Sequence, residues 1–187
     1  MQIDRLAIHG LLLITPRRFE DARGWFTESW NGPALIRAGI ELPDFVQDNH
    51  SFSAQRHTLR GLHYQRPPRA QDKLVRCTRG KILDVAVDAR KGSPQYGRAL
   101  SVELSAENGA QLYVPKGFLH GFLTLCENCE VQYKCTDVYA SNCDGSVAWD
   151  SVGFEWGITD PALSDKDAQA IAFNDFDSPF EYTEDSA

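Results

Sequence analysis

The chain has 187 residues, a single-domain length, and its 42% apolar and 11% aromatic content supplies an ordinary globular core. Its formal net charge of -7 argues against generic binding to nucleic acid or to an anionic membrane. No apolar run approaches the ~20 residues that span a bilayer. Leu11–Ile14 is crowded by Asp4, Arg5 and His9 with no small-residue cleavage site after it, so a soluble, cytoplasmic protein is expected.

Glycine, proline and asparagine punctuate the chain often, and long 3.6-residue periods are scarce. Leu6 to Thr15 is the first strand candidate. Asp21-Ala22-Arg23-Gly24 reads as a turn into Trp25–Glu28, and Pro33 to Ala38 as a short helix ended by Gly39. Phe45 to Ser51 resumes a strand. Lys73–Thr78 and Lys81–Asp88 flank Arg79-Gly80, a hairpin signal, and Leu83, Val85 and Val87 alternate with Asp84, Ala86 and Asp88. Arg98–Leu104, Gln111–Val114, Phe118–Leu125 and Glu130–Val138 continue the series, with a two-residue hairpin turn expected at Asn108-Gly109. Strand signals every 8–12 residues imply a sandwich or barrel. From about Asp160 the pattern becomes helical or irregular and acidic. A single domain over residues 1–187 is expected.

The charge is unevenly spread. Arg56 to Lys91 holds ten Lys/Arg against three Asp/Glu, whereas Asp150 to Ala187 holds one Lys against ten Asp/Glu. A basic segment in an acidic chain, surrounding the densest polar motif, suggests a small anionic ligand; a solvated basic face is the plainer alternative. That motif is Arg60-Gly61-Leu62-His63-Tyr64-Gln65, followed by Lys73. Of five cysteines, Cys126 and Cys129 form a CxxC between two strands, where Glu127-Asn128 makes a tight turn. A second CxxC or an HxxxH is missing, and Cys135 and Cys143 are too loosely spaced to complete a zinc site, so reduced thiols are expected.

Pro115-Lys116-Gly117-Phe118-Leu119-His120-Gly121 resembles the PxGxxH element of the cupin superfamily of small double-stranded β-barrels. Many cupins bind a metal there together with an HxH pair. Here the second histidine of that pair is Gln65, and two histidines without a carboxylate make a poor set for iron, manganese or zinc. Metal-free acid–base chemistry is favoured over a metal-dependent cupin, and no metal or cofactor is expected.

Seven segments, in order, resemble one family. They are Arg60–Gln65, Lys73–Gly80, Asp84–Asp88, Leu104–Asn108, Gly117–Phe122, Tyr133-Lys134 and Leu163-Ser164-Asp165-Lys166-Asp167. Together they are similar to the dTDP-4-dehydrorhamnose 3,5-epimerases, from about Asp21 to Asp167. The resemblance implies a mainly β, cupin-type double-stranded β-helix (a jelly-roll barrel) with short C-terminal helices. It implies proton removal from C3 and C5 of a dTDP-4-keto-6-deoxyhexose and return to the opposite faces, in a homodimer whose N-terminal strand joins the partner's sheet. In that reading His63 is the base, Asp167 its partner, Tyr133 the acid and Lys73 the enolate stabiliser, with His120 near the same oxygen. Substrate contacts are implied for Arg23, Glu28, Gln47, Asp48, Asn49, Arg60, Lys73, His120, Tyr139, Asp144 and Lys166, with Tyr139 stacking on thymine. Leu119 stands where the family has a small residue and Asp144 where it often has glutamate, which leaves open epimerisation at one carbon only. A non-catalytic sugar-nucleotide binding module is the remaining alternative.

Overall fold

The computed structural model describes residues 1–183. In chain order the strands are β1 (Gln2–Arg5), β2 (Leu12–Thr15), β3 (Arg18–Asp21), β4 (Gly24–Thr27), β5 (Gln47–Ser53), β6 (Leu59–Gln65), β7 (Lys73–Arg79), β8 (Lys81–Asp88), β9 (Arg90–Lys91), β10 (Ala99–Ser105), β11 (Gln111–Val114), β12 (Phe118–Thr124), β13 (Cys129–Cys135), β14 (Asp144–Ser146) and β15 (Phe180–Glu181). The helices are α1 (Gly32–Arg37) and α2 (Asp165–Ala168). Of Leu6 to Thr15 only Leu12–Thr15 is strand; Leu6 to Leu11 form the turn that joins it to β1, closed by the Leu6 amide donating to the Leu11 carbonyl at 3.1 Å.

A six-stranded sheet in the order β1-β2-β11-β7-β13-β5 faces a five-stranded sheet in the order β10-β8-β12-β6-β14. This is the jelly-roll barrel of the cupin type. It revises the local reading of two turns. β7 and β8 do not pair across Arg79-Gly80, and β10 and β11 do not pair across Asn108-Gly109; each turn carries the chain from one sheet to the other. Turn chemistry specifies a reversal but not whether the departing strand pairs with its predecessor or crosses the barrel. At the second turn, Asn108 Oδ1 accepts from the Ser105 and Ala110 amides, both at 3.0 Å, which folds the corner independently of any ladder.

The barrel interior at one end is a dry cluster containing Val75, Ile82, Leu104, Leu112, Phe122 and Val131. A second cluster covers the outside of the five-stranded sheet: Leu62, Val85, Val87 and Leu119 lie under Val147, Trp156, Phe176 and Phe180 of the C-terminal segment. With the valines of β8 facing this outer cluster, Asp84 and Asp88 lie on the opposite face shared with Ile82 and Ala86 of the interior cluster, and both are fully buried. β8 is an inner strand covered on both faces, so alternation there separates two buried faces rather than core from solvent. A third cluster packs Leu35 and Ile40, around α1, on Leu12, Leu74 and Tyr113 of the six-stranded sheet.

One irregularity aims the site. β12 pairs His120 with His63 but Phe122 with Arg60, so β6 carries an extra residue there. The bulge centres on Gly61, whose φ is 125° and whose Cα would carry a Cβ 2.6 Å from Gly121 Cα. Only glycine fits that conformation and that approach. The parity switch sends Leu59, Leu62 and Tyr64 to the outer cluster while Arg60, His63 and Gln65 turn inward.

Candidate active site

Opposite the dry end, the barrel opens into a cavity of about 210 Å³ lined by Gln47, Asn49, His63, Tyr64, Gln65, Gln71, Lys73, Tyr133, Tyr139, Asp144 and Lys166. His63 stands on β6 of one sheet, and Tyr133 on β13 of the other. They therefore occupy opposing walls.

His63 is half-exposed and donates from Nε2 to Asp167 Oδ1 at 2.5 Å. Asp167 sits in α2, whose N-cap Ser164 accepts from the Asp167 amide at 3.2 Å. Burial to 4% exposure pushes the Asp167 carboxyl up. The hydrogen bond and charge of His63, the Ser164 side chain and the Gly61 amide outweigh that and hold it below its ordinary value. An ionised Asp167 keeps the imidazole proton on Nε2 and leaves the Nδ1 lone pair free, the arrangement of a general base with an oriented tautomer.

Tyr133 lies between Val75 of β7 and Asn49 of β5. Burial raises its pKa, with a smaller push from Cys135, so it presents an O–H throughout the neutral range. Lys73 begins β7, and its ammonium makes no hydrogen bond or ion pair with any described residue. Burial lowers its pKa against the opposing pull of Cys135, Asp84 and Asp144. An ammonium that is partly desolvated and uncommitted is placed to donate to a developing oxyanion.

His120 does not line this cavity. It is buried behind it, with Nε2 2.8 Å from Asp84 Oδ1, and shares with Lys73 a void of about 10 Å³. Asp84 Oδ2 is buried without a hydrogen-bond partner, and Asp84 is among the neighbours that favour the charged form of Lys73. Arg60 lines an adjoining cavity of about 450 Å³ that also contains His63, Lys166 and Asp167. It is anchored to Ser53 Oγ at 3.2 Å and the Phe52 carbonyl at 3.0 Å. Lys166 and His63 are common to both cavities, and Lys166 bonds Asp144 Oδ2 at 2.5 Å.

The remaining residues divide. Gln47 accepts from the Tyr139 amide at 2.9 Å and donates to Asn49 Oδ1 at 3.0 Å, and the Tyr139 hydroxyl lies 3.3 Å from Asp144 Oδ2. Asp48 points the other way, from the outer sheet face, where Lys134 binds it at 2.8 Å. Arg23, 89% exposed, pairs with Asp21 at 2.5 Å at the tip of the β3–β4 hairpin, and Glu28 accepts from Asn31 at 3.1 Å. The fold of one chain does not bring these three to the cavity.

Gln65 has a role that the sequence reading missed. Its amide donates to the Arg69 carbonyl at 2.7 Å and to the Val138 carbonyl at 3.3 Å, and accepts from the Ala140 amide at 2.7 Å. It clamps the backbone on both sides of Tyr139 to the strand that carries His63. The i, i+2 spacing from His63 was the available signal, since it places both side chains on one face. Among the described residues no group of three or more His, Cys, Asp or Glu is placed to hold a metal ion, and no helix is long and apolar enough to cross a membrane.

The profile of the dTDP-4-dehydrorhamnose 3,5-epimerases matches residues 5–175. The chain is 48% identical over 180 residues to the dTDP-4-dehydrorhamnose 3,5-epimerase of Pseudomonas aeruginosa, covering 95% of this chain and 98% of that one. Its fold is similar to the crystal structure of the dTDP-6-deoxy-D-glucose-3,5-epimerase of Legionella pneumophila in complex with dTDP-4-keto-L-rhamnose. That match has a TM-score of 0.91 at 39% identity and covers 97% of this chain and 98% of that one. It is also similar to a 3'-monoepimerase from Streptomyces bikiniensis in complex with dTDP-quinovose, with a TM-score of 0.82 at 35% identity over 89% of this chain and 85% of that one. With a jelly-roll barrel, opposed histidine and tyrosine walls and matches along nearly its whole length, this chain belongs to the dTDP-4-dehydrorhamnose 3,5-epimerase family.

Proposed function

We propose that the protein epimerises dTDP-4-dehydro-6-deoxy-D-glucose at C3 and C5 to dTDP-4-dehydro-L-rhamnose. The observation that carries this reading is the placement of His63–Asp167 and Tyr133 on opposing sheets around one cavity, with the uncommitted Lys73 between them in the polar interior. C3 and C5 both flank the C4 ketone, so loss of either proton gives an enolate whose charge rests on O4. Inversion needs a base on one face, a proton donor on the other and a cation at the oxygen. His63 Nδ1 takes the proton, Asp167 stabilises the imidazolium, Lys73 holds the enolate oxygen and the Tyr133 hydroxyl returns a proton from the far wall. These steps call on no group beyond the side chains named.

The anionic half of the ligand fits the adjoining cavity. Arg60 and Lys166 suit a diphosphate, Arg60 through its planar fork. Tyr139, 59% exposed and held by Gln47 and Gln65, offers a face on which a base stacks.

A cytoplasmic homodimer is part of the same proposal. The β3–β4 hairpin pairs only with itself and exposes Phe19, Trp25 and Phe26, and Arg23 and Glu28 lie away from this chain's own cavity. A second copy packed through the N-terminal strands would cover those rings and is the natural source of ligand contacts from Arg23 and Glu28.

The test is the configuration of the nucleotide sugar recovered after incubation with dTDP-4-dehydro-6-deoxy-D-glucose, read by proton NMR. Inversion at both carbons supports the proposal, and recovery of only the starting sugar defeats it. Inversion at C3 alone would assign the chain to the second reading. That reading is favoured by the similarity to a 3'-monoepimerase and by the short Asp144 in the cavity wall.

A further inference from the structure

The epimerase reading makes no use of the CxxC at the opposite end of the barrel, and the geometry there is specific. Cys126 follows β12 and Cys129 opens β13, with Glu127-Asn128 between them and Asn128 at a φ of 55°. The two sulfurs are 3.5 Å apart, both free, and both lie over Gly80, where an added Cβ would meet each at 2.8 Å. Cys126 is partly exposed, whereas Cys129 is buried with its thiol donating to the Lys81 and Cys126 carbonyls at 3.3 Å. The third thiol of the cluster, Cys77, is buried, bonds the Arg79 carbonyl at 3.1 Å and is pushed up to about 12 by burial, so it does not compete. Tyr133 is four positions on from Cys129 along one strand, which places the pair roughly 13 Å along β13 from the catalytic wall.

We propose that Cys126 and Cys129 are a thiol–disulfide exchange site, with Cys126 the attacking thiol and Cys129 the resolving one, taking low-molecular-weight disulfides as the oxidant. The Cys126 thiolate attacks one sulfur of the small disulfide and forms a mixed disulfide. The displaced small thiolate takes up the proton that Cys126 released. Cys129 then loses its proton and attacks the Cys126 sulfur, forming the intrachain bond and expelling the second small thiol. The protein sulfurs are oxidised by two electrons and the small disulfide is reduced to two thiols. The tight turn already brings the sulfurs together, and the burial of Cys129 ensures that only Cys126 meets solvent. In a reducing compartment the pair rests as two thiols, and an oxidising one closes it.

The experiment treats the native, full-length protein with oxidised glutathione and follows intact mass, denatured thiol count and peptide maps. The expected product has lost two hydrogens, shows three of the five thiols, carries a Cys126–Cys129 bond and returns to five thiols with dithiothreitol. Cys126→Ser should remain unmodified, and Cys129→Ser should stop at a single glutathione adduct on Cys126. Because Cys129 is buried and its variant is at risk of misfolding, the wild-type map is decisive alone. A lasting glutathione adduct on wild-type Cys126, an unmodified protein, or a bond that maps to Cys77 would each overturn the proposal.

Discussion

Replacing Asp167 with asparagine tests how the base is built. The carboxylate accepts from three groups: His63 Nε2 at 2.5 Å, the Ser164 side chain and the Gly61 amide. An asparagine amide keeps one acceptor oxygen. If that oxygen stays with the backbone, the amide nitrogen faces His63, Nε2 must accept, and the ring proton moves to Nδ1, where it points at the substrate. Losing the charge from the hydrogen bond alone costs about 1.5–3 kcal/mol, or roughly 10- to 150-fold in rate. Reversing the tautomer removes the general base altogether, worth roughly 10²–10⁴-fold. The expected result is therefore a fall in kcat of about 10² or more with dTDP affinity nearly unchanged. The assay is deuterium uptake at C3 and C5 in heavy water, with dTDP binding followed by calorimetry. Exchange within about threefold of wild type would refute the tautomer argument. Stability should respond as well. The Asp167 pKa is lowered on folding, so its contribution is present above the ordinary carboxylate value and is lost as pH falls through the folded value. The variant should show a shallower loss of stability below about pH 4 in urea titrations.

Other outcomes follow from the same geometry. Tyr133→Phe should slow product formation by roughly 10²–10⁴-fold while leaving proton removal faster than epimerisation; equal rates of exchange and epimerisation would count against its role as the acid. Lys73 titrates below the ordinary lysine value because burial disfavours its charge, so kcat should decline on the alkaline side before pH 10.5; Lys73→Arg should move that limb upward, and an unmoved limb would assign it to another group. Gln65→Leu leaves the Ala140 amide and the Val138 and Arg69 carbonyls without their Gln65 partner, so that only Gln47 still holds the backbone at Tyr139. It should raise KM by about tenfold with kcat within about threefold, at a stability cost of about 1–3 kcal/mol. Gly61→Ala should be severely destabilising, by about 3 kcal/mol or more in urea unfolding, because its Cβ meets the Gly121 backbone at 2.6 Å in a left-handed conformation.

The β architecture was legible because strand signals recurred at short intervals; His63, Lys73, Tyr133 and Lys166 stand in the motif segments, Tyr139 and Asp144 were implied only by the family resemblance, and the fold brings all six to one cavity. What the sequence concealed was mostly non-local. Arg79-Gly80 and Asn108-Gly109 announce reversals, but whether the chain pairs or crosses is decided by which sheet holds the next partner. Strict alternation would set Arg60 and His63, three residues apart, on opposite faces; one extra residue at Gly61 turns both inward. Asp84 looked like the solvent side of a half-buried strand because the C-terminal segment, more than sixty residues away, covers the valine face from outside and leaves Asp84 on the barrel-interior face against His120, which no local pattern shows. Gln65 was read only for what it was not, a second metal ligand, because its three partners lie on loops that only folding brings together.

The central claim is that His63 and Tyr133, facing each other across one cavity, move protons through opposite faces of a 4-keto sugar. It is tested most directly by an NMR time course of dTDP-4-dehydro-6-deoxy-D-glucose in heavy water with wild type and His63→Ala side by side. The account predicts deuterium at both C3 and C5 with wild type, and at neither carbon with His63→Ala, whose dTDP affinity should be little changed. Exchange that persists in His63→Ala at near the wild-type rate would contradict it.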